Sequence, residues 1–399
     1  MALRLRSAST LHNALPEEAL RVIMLALPVD ARARAACVCR YWRAFLADPS
    51  LWQVLDLTPA GGVVAERVTE NLLRGAVARA AGHLRSLSIN RVPDMRGSTF
   101  DLIVSDGSEL QQISTDWFLA VPNLDRVFAA TPRLQELNAP VSDGCTALLP
   151  VLRNDPPYGP LRVSGLEVDF EDNADVDALA FAAAVAAHES LTSLSLANAA
   201  FARGVNALVD AATERRISRL EVNDCALDAE TFPALARLLQ RGSLTKLELF
   251  NCDWFHNAEE SVPELCAALR TCRTLTHLKF GLLQFNAASH RTVTELLDAA
   301  AALPALSVLD FYGGRVLDTA AFGRALGALL GVNLPSLRNL RVLVEQLGDE
   351  ALAPLLDGLA ANTHLRTLDC WHNDLSEVFK RDRLEPALAA LAARAQLDE

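Results

Sequence analysis

With 399 residues, of which 51% are hydrophobic and 22% charged, the chain is too long for one compact core, and its composition leaves no room for extended disorder. Aromatics make up only 6% while alanine supplies much of the apolar count, which favours many small repeated contacts over one bulky core. The net charge of −12 repels phosphate backbones and anionic lipid, so a protein partner is expected, with no nucleic acid and no membrane.

Residues 1–11 form a tail that carries Arg4 and Arg6 but no apolar run, so no secretory signal is read there. The longest uncharged apolar runs, such as 178–187, are too short to span a bilayer. Eight cysteines scattered through a chain this long do not make a disulfide framework. A reduced intracellular protein, cytoplasmic and/or nuclear, is expected.

Residues 12–57 read as a compact three-helix unit. Leu15-Pro16-Glu17-Glu18 opens a helix, since proline and acids suit a first turn. Leu20, Ile23 and Leu27 follow at helical spacing, and Pro28-Val29-Asp30 breaks the pattern. A second helix is expected through Val38, Trp42 and Phe45, ending at Ala47-Asp48-Pro49 before Leu51-Trp52. The string Leu15-Pro16-Glu17-Glu18-x-Leu20-x-x-Ile23, then Val38-Cys39-Arg40-x-Trp42, then Asp48-Pro49-x-Leu51-Trp52, resembles the F-box motif. That resemblance implies docking on a Skp-type adaptor, and through it on a cullin, by Leu15, Pro16, Leu20, Ile23, Val38, Trp42, Leu51 and Trp52. Taken alone, Trp42 and Trp52 also fit as core residues of a small unit. Where the family usually shows leucines, this chain has Arg32, Ala33, Ala35 and Cys37, which implies a smaller contact area.

Residues 58–83 read as a mostly helical connection, and from residue 84 to 399 the chain repeats itself. The clearest copies begin at Leu191 (LTSLSLANAAF), Ile217, Leu244, Leu275, Leu306, Leu337 and Leu365, in steps of 26, 27, 31, 31, 31 and 28. Looser copies begin at Leu84, Leu134 and Val163, and one copy within 110–130 has no assigned position. Helices are expected between the copies, over 230–242, 260–273, 291–303, 320–331, 350–361 and 383–397. Several carry proline near the start (Pro233, Pro263, Pro354, Pro386). Strand plus helix at this period resembles the ribonuclease-inhibitor class of leucine-rich repeat. The fold class is therefore α/β: a three-helix F-box followed by a leucine-rich-repeat solenoid, strands on its concave side and helices on its convex side.

Cys252, His256, Cys266, Cys272 and His277 fall in one window, but their spacing fits no paired zinc knuckle; Cys225 and Cys252 share the ninth position of their repeats, with Asn373 in the last copy, and are read as inward filler. Neither a P-loop nor G-x-S-x-G nor H-E-x-x-H occurs, so no enzyme activity, metal or cofactor is expected.

Side chains alternate along a strand, so the fourth and sixth residues of each copy point inward and the fifth and seventh outward. The outward set contains Glu221, Glu248, Asp310 and Asp369 beside Phe250, Tyr312 and Trp371, an acidic lane with aromatics that is expected to hold a protein substrate. The family resemblance implies the substrate-recognition subunit of an SCF-type E3 ubiquitin ligase, monomeric by itself. A non-ligase scaffold or inhibitor that binds proteins through its repeats is the other class the residues allow.

Overall fold

The computed structural model describes residues 15–58, 63, 68–89, 107–115, 119–159, 161–170, 178–199, 202–254, 261–281, 290–312, 318–344, 347–370 and 373–397. The chain divides into two compact units, one made of residues 1–141 with 154–164 and the other of 142–153 with 165–399.

The first unit opens with three short helices, α1 (Glu17–Ala26), α2 (Val29–Ala35) and α3 (Arg40–Phe45), and a 3-10 turn, Pro49–Trp52. Pro16 and Pro28 precede α1 and α2 in extended conformation, each starting its helix without costing a backbone hydrogen bond. The single helix expected from Pro28-Val29-Asp30 through Val38, Trp42 and Phe45 is broken into α2 and α3. Residues 36–38 form a turn, and Cys39 is extended (φ −153°, ψ 167°), its Sγ accepting the Trp42 N–H at 3.5 Å. Strand β1 (Val54–Leu57) follows at once and pairs in parallel with β2 (Ser86–Ile89), Leu55 opposite Leu87. The sheet therefore begins at Val54 rather than at Leu84, and with α4 (Glu70–Ala80) the segment read as a connection completes a strand–helix step.

The copy without an assigned position is β3 (Gln112–Thr115), which pairs with β2 on one side and, on the other, with β5 (Glu136–Gly144), whose residues 136–141 belong to this unit. Between β3 and β5 run β4 (Leu119–Ala120) and α5 (Val121–Ala130). Asp56, Ser88, Ser114 and Asn138 stand in one row across these strands.

In the second unit α6 (Cys145–Leu152) precedes the last residues of β6 (Leu161–Asp169) and α7 (Ala178–Ala187). Strand–helix steps follow: β7 (Ser193–Ala197) with α8 (Ala202–Arg215), β8 (Arg219–Asn223) with α9 (Thr231–Gln240), and β10 (Lys246–Phe250) with α10 (Val262–Thr271). Two-residue strands β9 (Ala226–Leu227) and β11 (Asp253–Trp254) pair in parallel behind them. The series continues with β12 (His277–Gly281) and α11 (His290–Ala300), β13 (Val308–Tyr312) and α12 (Thr319–Gly331), β14 (Asn339–Leu343) and α13 (Asp349–Ala361), then β15 (Thr367–Asp369). Helix α14 (Glu377–Phe379), a π-helical stretch and α15 (Glu385–Leu397) close it. Each of β7, β8, β10, β12, β13, β14 and β15 starts two residues after the first residue of its copy, as the spacing predicts. Pro354 is a correction: it lies inside α13, not in its first turn.

Inward leucines such as Leu194, Leu220, Leu247 and Leu309 are fully buried, and burying a leucine contributes about 1.5–3 kcal/mol. The second residue of four successive copies, from Ile217 to Leu306, adds a ladder of hydroxyls. Ser218 Oγ donates to Thr192 O (3.0 Å), Thr245 Oγ1 to Ser218 O (2.9 Å), Thr276 Oγ1 to Thr245 O (2.9 Å) and Ser307 Oγ to Thr276 O (2.9 Å). Past the strands, Asn198, Asp224 and Asn251 take left-handed conformations (φ 59°, 51° and 54°), which these short polar residues tolerate. On the helical layer α12 and α13 meet through glycine: a Cβ on Gly323, Gly327 or Gly358 would collide with backbone of the facing helix.

Candidate docking surfaces

The N-terminal module is held from inside by Trp52. Its ring is fully buried, Nε1 donates to Leu46 O at 2.8 Å, and the guanidiniums of Arg32 and Arg79 lie 5.5 and 5.3 Å from its centre. Arg32 is itself buried, which lowers its pKa, and it donates to the carbonyls of Leu25 (3.3 Å), Leu27 (3.1 Å) and Leu51. The module's two ends are tied by Arg21, which pairs with Asp48 at 2.5 Å and bonds Ser50 Oγ. Donation from the Ser50 backbone and hydroxyl, with help from Arg21, holds the Asp48 carboxyl below its usual range despite some burial.

This arrangement sorts the eight residues expected at the adaptor surface. Leu20, Leu51 and Trp52 are buried, so they support the surface from beneath and offer no side chain to a partner. Arg32 and Ala35 are buried too, so the departures from the leucine pattern at those two positions fall inside the module. Pro16 is exposed, and Ile23 and Val38 are 45% and 62% exposed. Leu15 and Trp42 are half-buried. Three apolar residues absent from the sequence expectation are also exposed: Val22 (67%), Leu25 (49%) and Tyr41. No side chain of α3 is buried, and Tyr41 stacks on Phe45 with centroids 6.4 Å apart. A helix that leaves its tyrosine exposed and its tryptophan and phenylalanine only half-buried presents an apolar face of the kind a partner covers.

On the outward side of the strands in the second unit, the fifth residues stand in one row: Glu167, Ser195, Glu221, Glu248, Lys279, Asp310, Arg341 and Asp369. The acidic lane is not bare. The third residues also point outward, and Lys246 sits between two acids, 2.6 Å from Glu221 and 2.9 Å from Glu248. Lys279 pairs with Glu248 at 3.5 Å, and Arg341 with Asp310 (3.8 Å) and Asp369 (3.2 Å). Burial raises the Asp310 pKa, against the pull of Arg341 and Lys279. From β8 to β15 cations and anions therefore alternate: Lys279 and Arg341 flank Asp310, as their fifth positions imply, and Lys246 adds a third cation between Glu221 and Glu248.

Phe250 and Tyr312 are likewise engaged. Their rings meet edge to face, 6.1 Å apart at 81°, across the side-chain-free position of Gly281. The Lys279 ammonium lies 4.7 Å from one ring centre and 4.9 Å from the other, and Arg341 donates to the Tyr312 hydroxyl. Each such cation–ring contact contributes about 0.5–1 kcal/mol at an exposed site. The pair thus clasps a lysine of its own chain. Trp371 lies outside the described residues.

Inward cysteines act as hydrogen-bond donors in the repeat edge. Cys225 Sγ lies 3.1 Å from Asn223 O, Cys252 Sγ 3.2 Å from Val222 O, and Asn373 Nδ2 takes the same place at 2.8 Å from Val342 O. Burial pushes the thiols of Cys225, Cys266 and Cys370 up to about 11, 12 and 12, which keeps them protonated. His256 of the window considered for zinc lies outside the described residues. Among the described residues no helix is long and apolar enough to cross a membrane.

Residues 12–58 match the family described as F-box-like. Among solved structures, the chain is similar to one from the complex of Rad7 and Elc1 in yeast, at 12% identity over 84% of this chain and 91% of that one, with a TM-score of 0.47. It is also similar to the leucine-rich repeat-containing protein LegL7 from Legionella pneumophila (15% identity, 72% and 93% covered, TM-score 0.33). A protein from Bacteroides fragilis matches at 13% identity over 60% and 67%, with a TM-score of 0.37. Residues 12–58 are thus an F-box-like module, and the chain joins them to an array of leucine-rich-type strand–helix repeats.

Proposed function

We propose that this chain is the substrate-recognition subunit of an SCF-type E3 ubiquitin ligase, working in the cytoplasm and/or nucleus. The observation that carries the reading is the match of 12–58 to the F-box-like family, on a segment that leaves Ile23 of α1 and Val38 of the following turn exposed. In this reading these side chains, with Pro16 and Trp42, dock on a Skp-type adaptor that connects to a cullin. The outward strand face around Phe250 and Tyr312 holds the target. The chain supplies no catalytic group; it raises the effective concentration of target beside a separate conjugating enzyme.

The test is co-purification of the full chain with the adaptor and cullin. Both should be recovered with the wild type, and Ile23→Asp with Val38→Asp should lose both, since removing apolar anchors costs about 2 kcal/mol or more. Recovery of adaptor without cullin would mean a scaffold outside the ligase, and unchanged recovery with the double variant would sink the docking face.

A further inference from the structure

The second unit concentrates arginines where three helices hand over to three strands. The stretches 213–219, 240–246 and 270–277 hold Arg215, Arg216, Arg219, Arg241, Arg270 and Arg273, against a single carboxylate, Glu214. These turns are neighbours. β8, β10 and β12 pair in register with Arg219 opposite Lys246 and Lys246 opposite His277. Thr245 N–H donates to Ser218 O and Thr276 N–H to Thr245 O, both at 2.8 Å, and α8, α9 and α10 pack side by side behind them.

Five of the six arginines are exposed; Arg215 is half-buried, with its Nε shielded and lacking an acceptor. Among the described residues, none of the six has a carboxylate within ion-pair distance. Arg237, further up α9, does have one, pairing with Asp210 at 2.7 Å. Burial first, and then Lys246 and Arg219, hold His277 below its usual range against the opposite pull of Glu248 and Asp310. This edge is positive on a chain whose net charge is −12.

Cations at helix C-termini commonly offset the helix dipole. That accounts for Arg215 and Arg270 in last turns and for Arg241 at a C-cap, but Arg216, Arg219 and Arg273 lie beyond the helices. Helices α7, α11, α12 and α13 end with no basic residue in the last turn, so these repeats do not require one. The arginines belong to three consecutive repeats and not to the repeat pattern.

We infer that this edge of the β8, β10 and β12 repeats is a docking surface for an acidic segment of a protein partner, a short run of aspartate and glutamate side chains. Guanidinium forks match carboxylates with two parallel hydrogen bonds, and open forks at successive turns suit successive acids. Three repeats span about 10 Å of sheet, and charge is felt over roughly 8 Å at physiological salt. A long polyanion such as duplex nucleic acid would run past the patch onto an acidic surface, whereas a short peptide would not. The inference does not rest on adaptor docking.

The experiment measures fluorescence anisotropy of a labelled Asp/Glu-rich peptide with the full chain, beside its Asn/Gln counterpart and a single-stranded DNA of equal charge. The acidic peptide should bind, more weakly as salt rises, and R216E/R241E/R273E should weaken it at least about tenfold. R216Q/R241Q/R273Q, which removes charge without reversing it, should weaken it in the same direction should the first variant fold poorly. Absence of acidic-peptide binding, equal binding by the neutralised variant, equal binding of the amide peptide, or tighter binding of the DNA would each overturn the proposal.

Discussion

The guanidinium of Arg32 lies over the Trp52 ring, 5.5 Å from its centre, while its nitrogens reach three backbone carbonyls of the same module. A charged residue here organises an interior. Replacing Arg32 by alanine strips the donor from Leu25, Leu27 and Leu51, of which the Leu51 bond is buried, and an unsatisfied buried acceptor costs about 1–3 kcal/mol. We expect urea unfolding of Arg32→Ala to shift to clearly lower denaturant, and Trp52→Ala to lose about 3–5 kcal/mol. A wild-type transition for Arg32→Ala would show that those bonds do not hold the module.

Gly281 should be as intolerant as Arg32 for a different reason. A Cβ there would lie 2.7 Å from Asn251 N and 3.0 Å from Phe250 Cα, both backbone atoms that cannot step aside. Gly281→Ala should destabilise by about 1–3 kcal/mol in a thermal melt. Lys279→Met, which keeps the stem between the rings and removes the charge, should stay within about 1 kcal/mol of wild type.

The cysteines should separate by accessibility. Iodoacetamide at neutral pH should modify exposed Cys37 readily, whereas Cys225, Cys252, Cys266, Cys272 and Cys370 should react only after denaturation. Peptide mass mapping of native and unfolded protein checks this, and rapid native labelling of Cys252 would contradict its place in the repeat edge.

Asp228 predicts a pH dependence. Burial opposes its ionisation, yet donation from Asn206 and Thr231 side chains and from the Glu230 and Thr231 backbones outweighs it and holds the carboxyl below its usual range. Because the folded value is the lower one, its stabilisation is in place above the unfolded value, about pH 3.9, and is lost as pH falls through the folded value. Asp228→Ala should therefore cost about 1 kcal/mol at pH 7, with the difference from wild type shrinking as the solution is acidified.

Much of this architecture is legible in the sequence because inward leucines at fixed spacing leave a strand little choice of register. The strands β7, β8, β10 and β12 to β15 and the helices α9 to α13 follow from that pattern, whereas α8 and the two-residue strands β9 and β11 are not read from it. β3 was harder to place because Gln111, Gln112 and Ser114 surround its one apolar strand residue, Ile113; the signal was the Leu110-x-x-Ile113 step in phase with Leu84 and Leu134. β1 hides behind helical neighbours on both sides. On the docking face, Leu51 and Trp52 looked like contact residues because family resemblance marks position and not depth. Arg32 looked like surface because its charge says nothing of the carbonyls folded around it. The alternation of Lys279, Asp310 and Arg341 is legible from their fifth positions, but Lys246 is not, because it occupies the third residue of its copy, a position that also faces outward.

Among the described residues β1 pairs on one side only, with β2, and its Leu55 and Leu57 are buried where α2 packs on it. An uncovered strand end in a row of parallel strands is a template for a neighbouring molecule, and repeat arrays need a terminal lid to stay soluble. The F-box-like module is therefore also the lid of the repeats that follow it. Cutting the chain after residue 58 would open a sticky edge on β2 as well as remove the docking helices, so loss of binding by such a fragment would report aggregation as readily as lost contact. Point changes at Ile23 and Val38, which leave the lid in place, separate the two.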